Sequence, residues 1–202
     1  MNAEKLAASE ISKAEVLSII DVEHLISVLI DANVPLDLWG KNGAKTVDHL
    51  FDEILNKKTE LALNDSGEIE RRIEASLVEV IHVSKGATVY GLKEDKQILN
   101  DGSVIKRELS TTLEERMTYG ESPDSTALKI LNEELDIDSY DEFMEFRSRT
   151  MIEPSRNYPG LITYYKTQPY MVSIDAKSFK PDGYIKTQPD KTSFYVWDII
   201  NG

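Results

Sequence analysis

The hydrophobic pattern changes its period near Glu60, and this change constrains the fold more than any other feature of the sequence. Before it, apolar residues such as Leu25, Ile26 and Leu29 recur at the spacing of one buried helix face. After it, stretches rich in β-branched residues, such as Ile73–Val83, indicate strands. The sequence therefore predicts a helical N-terminal region over residues 1–64 and an α/β domain with a mixed sheet over residues 65–202.

Helix-start signals appear at three places. Ser12 opens a Ser-Lys-Ala-Glu capping box, and the apolar residues after it predict a helix. Thr46 is placed to cap a second helix that runs to about Leu55. Ser122 is a favourable N-cap with Pro123 at the first helical position, which predicts a third helix inside the β-rich region.

Strand candidates fill most of the rest of the chain, separated by turn residues. They are Glu60–Leu63, Ile73–Val83, Thr88–Leu92, Lys96–Leu99, Val104–Arg107, Phe143–Thr150, Leu161–Thr167, Tyr170–Ile174 and Phe194–Ile199. An Asn-Asp-Gly-Ser segment predicts the hairpin turn between the fourth and fifth of these. The tetrapeptide Lys-Thr-Gln-Pro occurs twice, ending at Pro169 and Pro189, which is too few copies for a repeat architecture.

Charge and composition exclude several classes of partner and site. The net charge of −13 argues against nucleic acid or an anionic membrane as the main partner. Cysteine is absent, which excludes disulfides, thiolate nucleophiles and iron–sulfur clusters. The sequence has no apolar run of membrane-spanning length, and its start is too polar for a signal peptide. We therefore expect a cytoplasmic protein.

The segment around the third predicted helix carries the clearest candidate chemistry. Glu121 precedes the helix, and Glu133 and Glu134 lie near its end. Carboxylate oxygens suit a hard cation such as Mg²⁺, which keeps waters and substrate phosphates as its other ligands. The residue types alone are equally compatible with a solvated acidic helix face.

The spacing of these residues resembles the Nudix box, an isolated Glu followed after seven residues by Arg-Glu-U-x-Glu-Glu-x-Gly-U, where U is aliphatic. Glu121 matches the isolated Glu, and Glu133 and Glu134 match the acidic pair. Lys129 stands at the arginine position, and Ile137 fills the last aliphatic position. The resemblance covers about residues 70–200, and it implies a Nudix-like α/β/α sandwich preceded by the helical region.

The resemblance also implies a site. Glu121, Glu133 and Glu134 would be metal ligands for Mg²⁺ or Mn²⁺, with Glu134 also catalytic. Lys129 and Arg107 would supply positive charge near the diphosphate of a nucleotide-type small molecule. The reaction would be attack of water on that diphosphate, assisted by the metal.

Three departures from the pattern weaken this expectation. The full pattern also has a glycine that five residues separate from the isolated Glu, and Glu115 stands there in this sequence. Asp136 stands at the last glycine of the pattern, and Ile130 replaces the glutamate of its Arg-Glu pair. Isoleucine neither binds a metal nor accepts a proton, and loss of a general base lowers rates by about 10²–10⁴-fold. Glu153 is a candidate for the missing base, although a surface loop glutamate is the commoner explanation of such a residue.

Three hypotheses follow. The first is a divergent, weak, Mg²⁺-dependent Nudix-like hydrolase of a diphosphate linkage. The second is a catalytically inactive Nudix-fold module that binds a nucleotide or a protein partner. The third is a scaffold that forms a homodimer through the apolar faces of the N-terminal helices.

Overall fold

The chain is a mixed α/β protein with a large antiparallel sheet and few helices. The computed structural model describes residues 15–64, 66–106 and 112–200. Its α-helices are α1 (Val22–Asp31), α2 (Val47–Leu55) and α3 (Pro123–Lys129). Its strands are β1 (Glu15–Val16), β2 (Glu60–Leu63), β3 (Ile69–Val83), β4 (Val89–Leu99), β5 (Val104–Lys106), β6 (Thr112–Arg116), β7 (Glu142–Glu145), β8 (Arg149–Pro154), β9 (Ile162–Ser173), β10 (Tyr184–Thr187) and β11 (Lys191–Ile199).

The chain divides into two compact units. The first unit comprises the residues up to Ile73 together with Met151–Tyr165, and the second comprises Glu74–Thr150 and the residues from Lys166 onward. The limits of the units fall within β3, β8 and β9. The predicted domain boundary after residue 64 stays a prediction.

The first described residues of this unit form a strand where the sequence predicted a helix. Ser12 lies outside the described residues, but Glu15 and Val16 form β1, which pairs with β2. The helix begins only at Val22, because the Asp21 carboxylate accepts a hydrogen bond from the backbone N–H of His24 at 2.7 Å. The prediction of a helix directly after Ser12 is therefore wrong for Glu15–Val16, whereas Thr46 caps α2 as predicted.

The apolar stripes of α1 and α2 face a core inside the first unit. Leu25, Leu29 and Leu50 are completely buried, and Trp39 donates a hydrogen bond from its indole to the carbonyl of Pro159 at 2.9 Å. The buried residues of this core are Leu25, Leu29, Val34, Trp39, Leu50, Leu61, Ile69, Tyr158 and Leu161. None of the helices in the described ranges is long and apolar enough to cross a membrane.

In the second unit several predicted strands merge or divide. The candidates Thr88–Leu92 and Lys96–Leu99 form one strand, β4, whose whole length pairs antiparallel with β11. β9 continues through Pro169, although proline has no N–H to donate to a neighbouring strand. The carbonyl of Pro169 still accepts a hydrogen bond from the backbone N–H of Phe146 at 2.9 Å. The candidate Phe143–Thr150 divides instead, into β7 and the start of β8.

A second core lies between α3 and the strands of the second unit. Its buried residues are Val78, Val80, Leu92, Leu113, Ala127, Ile130, Leu131, Leu135, Ile137, Tyr170, Val172, Ile174, Tyr184 and Tyr195. The apolar positions of the box segment belong to this set, so packing fixes the helix on which the candidate site depends.

Candidate functional site

The start of α3 is anchored by side chains from the strands of the second unit. Ser122 caps the helix by accepting from the backbone N–H of Ser125 at 3.1 Å. The hydroxyl of Tyr170 donates to the Asp124 carboxylate at 2.6 Å, and the hydroxyl of Ser76 donates to the carbonyl of Pro123 at 2.8 Å. This confirms the predicted start of the helix, and these contacts hold its first residues in place.

Glu121 is held in the turn before α3 by two partners. One carboxylate oxygen accepts from the backbone N–H of Thr118 at 3.0 Å, and the other forms an ion pair with Lys129. The hydrogen bond to Glu121 raises the pKa of Lys129, and the charge of Glu121 adds to this effect. The lysine at the arginine position of the box is thus bound to the isolated glutamate.

Two departures from the pattern, Ile130 and Asp136, lie at the end of the helix. After α3 the chain continues as a π-helical turn over Ile130–Glu134. Ile130 is 2% exposed and belongs to the core. Asp136 has a φ of 57°, the left-handed conformation that glycine adopts most easily, and Ile137 N–H donates to the carbonyl of Leu131 at 2.8 Å.

The Glu134 carboxylate receives one hydrogen bond on each oxygen. Gln188 Nε2 donates to Oε1 at 2.6 Å, and the Tyr195 hydroxyl donates to Oε2 at 3.2 Å. Burial raises the pKa of Tyr195, and the negative charges of Glu134 and Glu94 raise it further. The hydroxyl therefore stays protonated at neutral pH and remains a donor.

Glu134 opens into an acidic pocket with a volume of about 220 Å³. The residues that line it are Glu94, Gln97, Thr112, Leu113, Glu114, Glu115, Ile130, Glu134, Lys191 and Tyr195. Among the described residues that line it, four are glutamates and one is a lysine, which makes this lining acidic.

A β-bulge aligns two of the pocket residues. Glu94 lies opposite Tyr195, but Lys96 lies opposite Phe194, so β4 has one extra residue at Asp95. Residues three apart on a regular strand point to opposite faces, whereas the extra residue lets Glu94 and Gln97 line the same pocket. Gln97 Nε2 donates to Glu94 Oε1 at 2.6 Å.

The predicted metal ligands do not meet in one place. Glu121 lines a separate small cavity with Glu74 and Met117–Gly120, Glu133 is exposed, and Glu134 lines the acidic pocket. Within the described residues, no three histidine, aspartate or glutamate side chains are grouped so that they could hold a metal ion. Glu121, in the turn before α3, forms an ion pair with Lys129 and does not line the acidic pocket.

The remaining predicted residues lie elsewhere or are not described. Glu153 is exposed on β8 in the first unit and is not among the residues lining the acidic pocket. Arg107 lies outside the described residues.

Several pocket residues escaped the sequence analysis. Among them are Glu94, Glu114, Lys191 and Tyr195, which come from β4, β6 and β11. Gln188, in the turn between β10 and β11, contacts Glu134 and was also missed. No spacing along the chain signals their proximity, since it depends on strand pairing and on the bulge in β4.

Comparison with known proteins gives a structural similarity but no match in sequence. No protein-family model matches the sequence, and no curated protein matches it. Among solved structures, the chain is similar to the crystal structure of Ap4A hydrolase from C. elegans, with a TM-score of 0.32 and 12% sequence identity. The match covers 63% of this chain and 80% of that chain. A similarity of this size assigns neither a family nor an activity.

Proposed function

We propose that this chain is a divergent Nudix-like hydrolase that acts weakly, with a divalent cation, on a diphosphate linkage in a nucleotide-type small molecule. The observation that carries the proposal is the position of Glu134. It matches the acidic pair of the box and lines a pocket that Glu94, Glu114 and Glu115 also line. Carboxylates from β4 and β6 thus lie around the same pocket as Ile130, where the box glutamate is missing.

The donor atoms of these side chains are of the type that Mg²⁺ and Mn²⁺ prefer, although no three of the described acidic side chains are grouped so that they could hold a metal ion. All four acidic side chains offer hard oxygen atoms, which these cations prefer. Glu134 would be the principal ligand, assisted by the pocket glutamates, while Glu121 would keep its place on Lys129. A bound cation would neutralise negative charge on the phosphoryl oxygens.

The proton-accepting and phosphate-binding roles also move to pocket residues in this proposal. We assign the general base to a pocket glutamate rather than to Glu153, because Glu153 does not line the pocket. Lys191 lines the pocket and would supply positive charge to the diphosphate, since the Lys129 ammonium is already paired with Glu121.

A second candidate is a binding module without turnover. It is favoured by Ile130, which is packed into the core at the position of the box glutamate and takes no part in proton transfer. In that case the same pocket would bind a nucleotide-type ligand together with its cation.

Turnover and binding measurements separate the two candidates. Purified protein would be assayed with Mg²⁺ or Mn²⁺ against a panel of nucleoside diphosphate derivatives for phosphate products. We expect slow turnover that Glu134→Gln abolishes and that Glu142→Gln, at an exposed position on β7, leaves unchanged. Binding by calorimetry without turnover would favour the second candidate, and the absence of both would contradict each of them.

A further inference from the structure

We propose that the outer edge of β8 is a homodimer interface, on which β8 of a second copy of this chain pairs antiparallel. None of the described residues that line the acidic pocket belongs to β8. The interface is therefore tested independently of the proposed function.

β8 is a strand with one open edge. Among the described strands it pairs with β9 alone. All of its residues are exposed, and they include two large apolar side chains, Met151 at 53% and Ile152 at 66%. An exposed edge strand with apolar side chains is a template on which another chain can add a strand.

The backbone of β8 shows which hydrogen-bonding groups this edge offers. The carbonyl of Arg149 accepts from the hydroxyl of Thr167 on β9 at 3.5 Å, and the N–H of Ser155 donates to the carbonyl of the residue preceding β9 at 2.8 Å. Main-chain groups point to alternate edges of a strand from one residue to the next. The N–H and C=O groups of Thr150 and Ile152 therefore face the open edge.

Symmetry limits the register of such a pair. A two-fold axis perpendicular to the sheet keeps each side chain on its own face, so the axis must pass where one residue lies opposite its own copy. The register centred on Met151 places Arg149 opposite Glu153 of the second copy, and the reverse. Thr150 and Ile152 then exchange two hydrogen bonds in each of the two symmetric pairs.

Charge favours the register centred on Met151. Arg149 and Glu153 are the charged residues of β8, and this register sets each against the opposite charge. Centring on Ile152 would set Glu153 opposite Met151 and would place Pro154, which has no N–H, at a hydrogen-bonding position. Centring one residue earlier would set Arg149 opposite Met151.

The interface is small, so the dimer should dissociate on dilution. Stable interfaces usually bury at least about 1,200 Å² in total, which is more than a pair of strands this short provides. The net charge of −13 on each copy also opposes association. The measurements therefore belong at about 0.15 M salt, where the Debye length is about 8 Å.

The experiment measures the mass of the full chain by sedimentation, in a concentration series up to about 1 mM. We expect a monomer–dimer equilibrium in which Arg149→Glu and Glu153→Arg each raise the dissociation constant at least about 10-fold, because like charges then face each other twice in every dimer. An equimolar mixture of the two variants should form a heterodimer, in which opposite charges face each other again.

Asp52→Arg is the matched control. It makes the same change of charge as Glu153→Arg, at an exposed position on α2. Both substitutions reduce the net negative charge, which by itself would favour association. We expect Glu153→Arg nevertheless to weaken the dimer and Asp52→Arg not to weaken it.

The absence of cysteine from the sequence allows a second measurement. Met151→Cys would give each chain a single thiol. Its two copies would form a non-hydrogen-bonded pair with Cα atoms about 4.5 Å apart, which is within reach of a disulfide. We expect Met151→Cys to oxidise to a covalent dimer and Ile185→Cys, 68% exposed on β10, to stay monomeric.

Several outcomes would overturn the interface. A wild-type chain that is monomeric at about 1 mM would do so. A dimer that neither charge variant weakens would place the contact elsewhere, including on the N-terminal helices, and a disulfide dimer of Ile185→Cys but not of Met151→Cys would place it on β10. A mixture of the two charge variants that is no more dimeric than its components would exclude the antiparallel register.

Discussion

Glu53, in the first unit, contacts three polar side chains, of which Arg71 and Tyr158 are buried. It pairs with Arg71 at 2.5 Å and with Lys45 at 2.6 Å, and it accepts from the Tyr158 hydroxyl at 3.1 Å. The Arg71 side chain is only 3% exposed, and its guanidinium lies 4.9 Å from the centre of the Tyr158 ring. A single carboxylate therefore compensates a buried cation.

Removing this carboxylate should destabilise the fold much more than removing its exposed neighbour. We expect Glu53→Gln to lower the free energy of unfolding by about 3–5 kcal/mol, because Arg71 would keep its charge without a carboxylate partner. Asp52→Asn removes the same charge from an exposed position on α2 and should cost under about 0.5 kcal/mol. Urea unfolding measures both, and equal losses would contradict the assigned role of Glu53.

The same residue should give the stability a recognisable pH dependence. Burial alone would raise the pKa of Glu53, but hydrogen bonds and charges from Lys45 and Arg71 outweigh it and lower the pKa below 4.5. A depressed pKa contributes stability above the unfolded value, and this contribution is lost as the pH falls through the folded value. The decline of stability below about pH 4.5 should therefore be shallower in Glu53→Gln than in the wild-type protein.

At the scale of elements, the β10–β11 hairpin determines whether Glu134 keeps its partners. Gly183 precedes β10 with a φ of 82°, and a Cβ atom there would lie 1.9 Å from the carbonyl oxygen of Tyr195. The backbone of β11 thus passes too close for any side chain at this position. Tyr195, which donates a hydrogen bond to Glu134, therefore lies directly against Gly183.

Alanine at this position should disturb both stability and the pocket. Gly102 has a similar φ of 83° in the β4–β5 turn, but open space surrounds its Cβ position. Gly102→Ala should therefore lower the free energy of unfolding only by the backbone strain, about 1–2 kcal/mol. Gly183→Ala should cost about 1–3 kcal/mol more, because of the clash with Tyr195. Thermal unfolding compares the two variants, and equal losses would refute the close approach.

At the scale of the whole molecule, charge repulsion opposes the folded state. The net charge of −13 means that any salt should stabilise the protein by screening. Binding of a cation to the folded state adds a separate stabilising free energy, whose size depends on the cation concentration relative to the dissociation constant. The two effects are separable by holding the ionic strength constant.

We expect MgCl₂ to stabilise the chain more than NaCl at equal ionic strength. The added stability should reach about 2.7 kcal/mol when Mg²⁺ is at one hundred times its dissociation constant. Glu134→Gln should respond to the two salts alike, whereas Glu142→Gln should respond like wild type. Thermal unfolding in both salts measures this, and an identical response of the wild-type protein would contradict a cation site.

The whole-molecule view also bears on the homodimer hypothesis. The apolar faces of α1 and α2, which motivated it, are covered by the core of the first unit. A homodimer through these helices stays a prediction.

The sequence alone determined the features that depend on neighbouring residues. The caps at Thr46 and Ser122, the strand Glu60–Leu63 and the Asp-Gly hairpin turn are all found in the structure. Each depends on residues a few positions apart, whose side chains or backbone angles act locally. The helix that carries the box segment was predictable for the same reason.

Only the tertiary structure decided where the carboxylates lie. Spacing suggested that Glu121, Glu133 and Glu134 converge, but the ion pair with Lys129 holds Glu121 in its own turn. Glu134 instead shares its pocket with Glu94, which is forty residues away in sequence and is brought there by the pairing of β4 with β11 and its bulge. Pairing register and bulges arise from contacts between distant strands, so no local pattern in one sequence encodes them visibly.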